Sequence, residues 1–295
     1  MNPLSDATGA EQVLGNTGFL ERWVRLQPGF WELPPRAETS ALKAFRSWEG
    51  VSLFDRAKLE LTTSHFETGI YRAFLEQALP EVPPGLLLEI GAGDGRITHI
   101  LCEQREGVIL ACDCNRPALS RLYRALTPRD RDRVLVLCCS IEDLPLRKLS
   151  LAGTVAIESL YYLGPRLEET LATLAHQVVP GGRLIHAEPT LEGYLIHCLA
   201  IGDWEGALTT AEQRKVEGAY RGLSRAEVEQ IHDACGWRTL NSGFTPLANL
   251  ILVNRLIRSE LSEVDRLDVV RRVRSAAPWF EIPRCILYTA APVEP

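Results

Sequence analysis

With 295 residues, the chain is long enough for one large α/β domain with additions or for two modest domains. Hydrophobic residues make up 46% and charged residues 24% of the chain, and these ordinary values exclude a disordered or fibrous protein. The net charge of -6 is mild and is not concentrated in a tail, so the sequence lacks the basic surface that nucleic-acid binding requires, and we expect no nucleic-acid partner.

The sequence does not predict a membrane segment. Its start, MNPLSDATGAEQ, lacks a charged segment followed by a long apolar one, and no later stretch reaches the roughly 18 uninterrupted apolar residues of a membrane span. We therefore expect a cytoplasmic protein without membrane contacts.

The eight cysteines are interpreted as free thiols. Cys112, Cys114, Cys138 and Cys139 lie in or beside apolar, strand-like runs, where thiols behave as small core residues. The sequence has no C-x-x-C pair, and Cys112 and Cys114 have no second pair and no histidine at ligand spacing. No metal site is predicted.

The first 63 residues are rich in aromatic side chains and only weakly periodic, which predicts an N-terminal cap (1–63) on a main domain at 64–295. A helix begins the main domain, because Ser64 and Glu67 have capping-box spacing and apolar residues then recur on one face. We expect Pro80 to end this helix.

From Leu86 onward, strand-like segments alternate with helix-like ones, as in a parallel sheet covered by helices. Asn115 is placed to cap one helix, and Ser224 and Glu227 form the capping box of another. The predicted strands are Leu86 to Ile90, Val108 to Cys112, Val134 to Cys138, Thr154 to Ile157, Arg183 to Ala187, Trp237 to Leu240 and Cys285 to Thr289.

Two stretches interrupt this alternation, at about 191–222 and about 247–280, and both are predicted to be helical. As insertions near the ends of strands, they would lie where ligands of open α/β sheets bind. The alternative is that they are extra helices that extend the core.

A glycine-rich turn follows the first predicted strand in LLLEIGAGDGRITHIL. A strand that turns sharply into a helix while a ligand touches its backbone needs residues without Cβ, and Gly91, Gly93 and Gly95 meet that need. A dinucleotide fold would place its third glycine where Arg96 stands, and a phosphate-binding P-loop would end in Gly-Lys-Ser or Gly-Lys-Thr. Neither pattern is present, and a lone glycine turn does not identify its ligand, so the neighbouring residues must decide.

Polar residues follow the next strands. Asp113 ends the second strand, where a carboxylate accepts hydrogen bonds from a ribose diol in nucleotide-binding α/β folds; the alternative is a loop aspartate that caps a helix. Ser140 to Leu144 form the loop after the third strand. The Pro180-Gly181-Gly182 turn then leads into an apolar strand that ends at Glu188.

In their order and spacing, these four elements resemble the class I S-adenosylmethionine-dependent methyltransferases, over about Leu86 to Glu188. The resemblance implies an α/β fold with a Rossmann-like, seven-stranded, mostly parallel sheet that has helices on both faces and whose last strand runs antiparallel between its neighbours. To this fold the chain adds the N-terminal cap and the helical insertions.

The resemblance also implies S-adenosyl-L-methionine as the cofactor. By it, the three glycines let the loop approach the methionine part, Glu89 helps to hold that part, and Asp113 binds the ribose hydroxyls. Ile141 and Glu142 would flank the adenine. Ser140 departs from the pattern, because many relatives carry an aspartate at this position.

Two residues are candidates for catalysis. Glu158 ends the fourth strand, beside the first strand in the family's order, so it would face the sulfonium or the acceptor; the alternative is a carboxylate that orders the next loop. His186 lies on the same strand face as Glu188 and could serve as a base. Its alternative is a satisfied core histidine.

Substrate contacts are expected from five residues. Tyr161 and Tyr162 resemble a tyrosine pair of some small-molecule members of the family, although aromatic residues more often pack than bind. The other three are Glu188 at the end of the fifth strand, His65 near the start of the first predicted helix, and His197 in the first insertion.

The favoured hypothesis is methyl transfer to a small-molecule acceptor, at an oxygen, nitrogen or carbon nucleophile, by in-line displacement. A second hypothesis keeps the cofactor but assigns another reaction, such as cyclisation or rearrangement. A third is a non-catalytic binding protein that retained the fold. The sequence predicts no particular oligomeric state.

Overall fold

A mixed β-sheet forms the centre of the computed structural model, which describes residues 23–33, 68–201, 203–216, 220–246 and 283–293. Within these residues, nine strands form one sheet in the order β1-β2-β5-β4-β3-β6-β7-β11-β10. Their bounds are β1 Val24–Gln27, β2 Phe30–Glu32, β3 Leu86–Ile90, β4 Ile109–Asp113, β5 Val134–Cys138, β6 Leu151–Ile157, β7 Val178–Pro189, β10 Trp237–Pro246 and β11 Pro283–Pro292.

The predicted seven-stranded sheet is confirmed as strands β5 to β10 of this larger order, and β1 and β2 are added beside β5 at one edge. Strands β5, β4, β3, β6 and β7 pair in parallel, and β11 runs antiparallel to both of its neighbours, β7 and β10. Most strands extend beyond their predicted bounds. For example, β7 begins at Val178 and includes the Pro180–Gly182 turn, where Gly181 has a φ of 77°.

Helices cover both faces of the sheet, as predicted. Apolar residues of α1, α2 and α3 pack on one face, and those of α5 and α8 pack on the other. The helix bounds are α1 68–78, α2 Arg96–Gln104, α3 Arg116–Ala125, α4 Pro128–Arg131, α5 Leu167–Gln177, α6 Leu191–Ile201, α7 Trp204–Gln213 and α8 Arg225–Ala234. None of the helices among the described residues has the length and apolar character needed to cross a membrane.

Two capping signals in the sequence are confirmed, whereas the predicted capping box of Ser64 and Glu67 lies outside the described residues. The side chain of Asn115 accepts the N–H of Ala118 at the start of α3. The capping box of Ser224 and Glu227 starts α8. These helices begin where the sequence predicts, because a cap satisfies backbone N–H groups that lie within three residues of it.

The described part of the predicted N-terminal cap extends the sheet. Strands β1 and β2 pair antiparallel, and β2 pairs in parallel with β5, so Phe30 lies opposite Val136. Phe30 is buried and stacks on Tyr123 with ring centroids 5.7 Å apart. Within the segment predicted to be a cap over the domain, the described residues therefore form two strands of the sheet. The rest of 1–63 lies outside the described residues. The second predicted insertion, 247–280, also lies outside them.

The first insertion contains the predicted helices and one element that differs. Helices α6 and α7 occupy most of it. Its last part is a short antiparallel hairpin of β8 Lys215–Val216 and β9 Tyr220–Arg221, where the sequence predicted helix. The insertion follows β7 directly, so it lies at the carboxyl ends of the parallel strands.

Candidate cofactor and acceptor site

The glycine turn joins β3 to α2 at the carboxyl edge of the sheet. Gly91, Gly93 and Gly95 have φ values of 76°, 51° and 93°, in the left-handed region that favours glycine. A Cβ on Gly91 would stand 2.4 Å from the Cβ of Ser159, which follows β6. Glycine is therefore required at position 91 both by backbone conformation and by the neighbouring chain.

Asp113 is buried at the end of β4 and holds the glycine turn. Its Oδ2 accepts the N–H of Gly93 at 2.8 Å, and its Oδ1 accepts the N–H of Asn115 at 2.7 Å. Burial raises the pKa of Asp113 to about 6, although these backbone donors oppose the rise. The carboxylate therefore orders two loops, while Asn115 supplies the cap of α3.

Glu89 lies in β3, two residues before the glycine turn, and is almost fully buried. Its Oε2 accepts the hydroxyl of Thr98 at 2.7 Å. Its Oε1 has no hydrogen-bond partner among the described residues. Burial raises the pKa of Glu89 to about 7, so ionisation of this carboxyl is costly unless a donor or cation meets the second oxygen.

The loop after β5 forms a 3-10 turn over Ile141–Asp143. Ser140 donates its hydroxyl to Glu142 at 3.0 Å, and Arg166 approaches the other oxygen of Glu142 at 3.4 Å. The carboxylate of Glu142 is thus tied to its own loop and to the turn before α5. Ile141 remains half-buried beside it.

Glu158, directly after β6, has a φ of 52°, which is unusual for a residue with a side chain. Its Oε1 accepts the hydroxyl of Tyr71 at 2.5 Å and lies 3.6 Å from the guanidinium of Arg96. Arg96 also lies over the Tyr71 ring, 5.3 Å from its centroid. Glu158 is therefore a paired carboxylate at the edge of the glycine turn, and neither partner was predicted.

The two predicted tyrosines lie in the 3-10 turn Leu160–Arg166, directly after Glu158. Their ring centroids are 4.1 Å apart. Tyr161 is buried, and Tyr162 and Tyr194 of α6 pack against it as half-buried rings. The first insertion thus contributes a third tyrosine to this cluster. No local pattern in the sequence predicted that Tyr194 packs against Tyr161.

His186 is a core histidine, which was the alternative interpretation of its sequence position. It is 1% exposed, and both of its ring nitrogens have partners, Nδ1 at Glu188 and Nε2 at His232. Burial lowers the pKa of His186 to about 3. An enclosed imidazole without a free nitrogen cannot reach an acceptor as a base, so the structure does not support that expectation.

Glu188 is also buried, at 4% exposure, and its Oε2 accepts the backbone N–H of Tyr161 at 3.0 Å. Burial raises its pKa well above the ordinary range. Glu188 therefore lies beneath the tyrosine turn rather than in an open cavity. The other two predicted contacts are not described: His65 lies outside the described residues, as does the side chain of His197.

In the part of the chain that the structure describes, no three histidine, cysteine or acidic side chains are grouped to hold a metal ion. The sulfurs of Cys112 and Cys139 lie 3.5 Å apart in the core beside Asp113, as free thiols.

Comparison with known proteins supports the interpretation of this edge of the sheet. Residues 87–182 match a family model described as a methyltransferase domain. No curated protein matches the chain significantly in sequence.

Three solved structures illustrate the similarity of fold. The geranyl diphosphate C-methyltransferase of Streptomyces coelicolor A3(2), solved with Mg²⁺, geranyl diphosphate and S-adenosyl-L-homocysteine, is 15% identical, with 78% of this chain and 80% of that chain covered and a TM-score of 0.55. The [4+2]-cyclase SpnF is 14% identical, with 76% and 81% covered and a TM-score of 0.53. A chain from a complex that contains the Haloferax volcanii Trm112 methyltransferase activator is 16% identical, with 85% and 98% covered and a TM-score of 0.55.

Proposed function

We propose that this chain, whose residues 87–182 match a methyltransferase-domain model, is a class I S-adenosylmethionine-dependent methyltransferase that transfers the methyl group of S-adenosylmethionine to a small-molecule acceptor. The acceptor atom would be an oxygen, nitrogen or carbon nucleophile. The reaction is an in-line displacement, in which the protein mainly holds the nucleophile and the methyl carbon in line.

One observation carries the proposal: the buried Oε1 of Glu89 has no hydrogen-bond partner among the described residues, and Glu89 stands two residues before the glycine turn. A buried carboxylate oxygen of this kind needs a donor or a cation. The ammonium group of the cofactor's methionine part provides both. When bound, the cofactor supplies an electrophilic methyl group on a sulfonium centre.

The neighbouring residues fit the nucleoside part. Asp113 accepts backbone N–H groups on both of its oxygens, and we assign its remaining lone-pair capacity to a ribose hydroxyl. Ile141 would offer an apolar surface to the adenine. Glu142, held by Ser140 and Arg166, would stand beside the ring edge.

On the acceptor side we assign Glu158 and the tyrosine pair Tyr161 and Tyr162. Glu158 directly precedes Ser159, which packs against Gly91. Tyr71 and Arg96 hold the Glu158 carboxylate in one orientation. If the acceptor is a hydroxyl, we assign Glu158 as the group that takes its proton. The tyrosine rings would form an apolar wall. His65 and His197 stay predicted substrate contacts.

The second candidate is a reaction other than methyl transfer, such as cyclisation or rearrangement. It is retained because the chain is similar in fold to the [4+2]-cyclase SpnF. The same glycine turn and acids would then hold the cofactor as a structural or electrostatic element. A non-catalytic binding protein is the third.

Calorimetry and product analysis together test these alternatives. We expect the purified protein to bind both S-adenosylmethionine and S-adenosylhomocysteine. We also expect S-adenosylhomocysteine to accumulate when a panel of hydroxyl, amine and activated-carbon acceptors is supplied with S-adenosylmethionine. Failure to bind either nucleoside would refute the first two candidates. Acceptor consumption without S-adenosylhomocysteine would favour the second candidate over the first.

A further inference from the structure

A continuous chain of hydrogen-bonded polar side chains, buried except for the half-buried Thr239, runs from β10 to the tyrosine turn. Thr239 contacts His232 through Oγ1 and Nδ1 at 2.7 Å, and the Nε2 atoms of His232 and His186 are 2.9 Å apart. His186 then contacts Glu188 through Nδ1 and Oε1 at 3.2 Å. The other oxygen of Glu188 accepts the N–H of Tyr161. The chain therefore links α8 and β10 to the acceptor side of the site.

Two hydrogen-bond patterns satisfy this chain, because an uncharged imidazole supplies one N–H and one lone pair. In the first, Glu188 is protonated and donates to His186, which donates to His232, which donates to Thr239. In the second, Glu188 is ionised and every one of these donors points the other way. The patterns differ by one proton and by the tautomer of both rings.

The surroundings favour the uncharged pattern. His232 is 0% exposed, and Tyr288 stacks on His186 with ring centroids 5.0 Å apart. Burial raises the pKa of Glu188 well above its usual range; the backbone N–H groups of Tyr161 and Leu160 oppose this rise, and the charge of Glu158 adds to it. Burial also lowers the pKa of His232 to about 3. A small cavity of about 10 Å³ beside His186 and Glu188 has room for one water molecule at most.

We propose that this uncharged chain makes Glu188 a positioning residue, which holds the Leu160–Arg166 turn and its tyrosine pair against the acceptor. The ring centroids of Tyr161 and Tyr162 lie 4.1 Å apart with the ring planes tilted by 32°, so a fixed backbone at Tyr161 also restrains the ring packed against it. The same turn follows Ser159, which abuts Gly91, so its position is set relative to the cofactor loop. The acceptor side of this arrangement rests on the proposed function, whereas the hydrogen-bonded series of Thr239, His232, His186 and Glu188 does not.

The conservative variant Glu188→Gln provides the sharpest test. A glutamine side chain keeps an acceptor for Tyr161 and donates an N–H to His186, so it reproduces a protonated glutamate and forces His186 into the Nε2–H tautomer. Glu188→Leu removes both interactions. We would record the ¹⁵N resonances of His186 and His232 in the full-length protein at neutral pH, together with hydrogen exchange of the Tyr161 amide and binding of S-adenosylhomocysteine.

The proposal expects the same histidine tautomers in the wild type and in Glu188→Gln, and the same slow exchange at Tyr161. It expects at least tenfold faster exchange in Glu188→Leu, with cofactor affinity unchanged within about threefold. An Nδ1–H tautomer of His186 in the wild type, or an unchanged Tyr161 amide in Glu188→Leu, would overturn it. If Glu188→Leu does not fold, the tautomer comparison with Glu188→Gln decides alone.

Failure of the proposed function gives a different result. If the wild type does not bind S-adenosylhomocysteine, the cofactor assignment is refuted. The tautomers and the Tyr161 exchange rate would still report on the buried chain.

Discussion

The hydroxyl of Tyr71 donates a 2.5 Å hydrogen bond to Glu158, which joins helix α1 to the end of β6 across 87 positions of sequence. The acceptor is a carboxylate whose side chain is 17% exposed. Removing the donor leaves that carboxylate with less compensation for its partial burial. The phenol of Tyr71 thus supports the candidate catalytic group rather than the core alone.

Tyr71→Phe is expected to lower the free energy of unfolding by about 2 kcal/mol, because bonds to charged acceptors are worth about 1.5 to 3 kcal/mol. Tyr123→Phe is the matched control. Tyr123 is also buried, also lies under an arginine, Arg131, and donates to the uncharged carbonyl of Pro28 at 3.0 Å. Its loss should cost about 1 kcal/mol. Urea denaturation measures both variants. Equal decreases in the free energy of unfolding would show that the hydrogen bond from Tyr71 to the charged Glu158 is no stronger than the one from Tyr123 to an uncharged carbonyl.

Asp113→Ala is expected to weaken binding of S-adenosylhomocysteine by about 1 to 3 kcal/mol, because it removes the proposed ribose contacts and loosens the glycine turn. Asp113→Asn should weaken binding by a similar amount. Its amide nitrogen would replace one carboxylate oxygen and would face the backbone N–H of Gly93 or Asn115, donor against donor. Isothermal calorimetry measures both variants.

Asp233→Ala is the control for this experiment, because Asp233 is exposed on α8, away from the glycine turn. Its cofactor affinity should equal that of the wild type. Wild-type affinity in Asp113→Ala would remove Asp113 from the cofactor site.

How much of this site the sequence predicts depends on how local each interaction is. The glycine turn, Asp113 and the cap at Asn115 are predicted, because their partners lie in the same turn or at the end of the next strand. Parallel strands bring their carboxyl ends to one edge, so Glu158 was also placed there.

Long-range pairings were not predicted, because no local pattern determines them. The contact between His186 and His232 joins residues 46 positions apart, and it turns a candidate base into a core residue. Likewise, pairing of Phe30 with β5 depends on a strand more than a hundred residues away, so its segment resembled a cap. Hydrophobic periodicity and composition predict which face of a helix or strand is buried. They do not predict which distant polar side chain contacts that face.

Gly91→Ala and Gly181→Ala compare an alanine in the crowded glycine turn with one in the uncrowded Pro180–Gly182 turn. The two glycines have nearly equal φ values, 76° and 77°, so an alanine costs about 1 to 2 kcal/mol of strain at either position. A Cβ at position 181 meets nothing within 4 Å, whereas at position 91 it meets Ser159. Only Gly91→Ala should therefore displace the loop and weaken S-adenosylhomocysteine binding, by tenfold or more.

A double variant, Gly91→Ala with Ser159→Gly, removes the clashing Cβ and should recover part of the lost affinity. Calorimetry on the four proteins measures this. If the added Ser159→Gly recovers none of the affinity lost in Gly91→Ala, backbone strain rather than crowding is responsible.

Glu89→Gln is expected to change how stability depends on pH. The pKa of Glu89 in the folded protein, about 7, lies above its ordinary value of 4.5, so the folded state holds this proton more tightly than the unfolded chain does. Stability is therefore full below pH 4.5 and falls as the pH rises towards 7, by about 3 kcal/mol in all. A glutamine does not ionise and escapes this loss.

Denaturation curves at pH 4.5 and pH 8 measure this difference. Between pH 4.5 and pH 8, the free energy of unfolding of Glu89→Gln should rise relative to that of the wild type by about 3 kcal/mol, because the contributions of all other titrating groups cancel in the comparison. Glu205→Gln, at an exposed carboxylate of α7, should show no such gain. The same Glu89→Gln variant should bind S-adenosylhomocysteine more weakly, because the cofactor's ammonium loses its anionic partner. Parallel pH curves for wild type and variant would mean that Glu89 is ionised at little cost, and its unpartnered oxygen would then no longer support a cationic ligand.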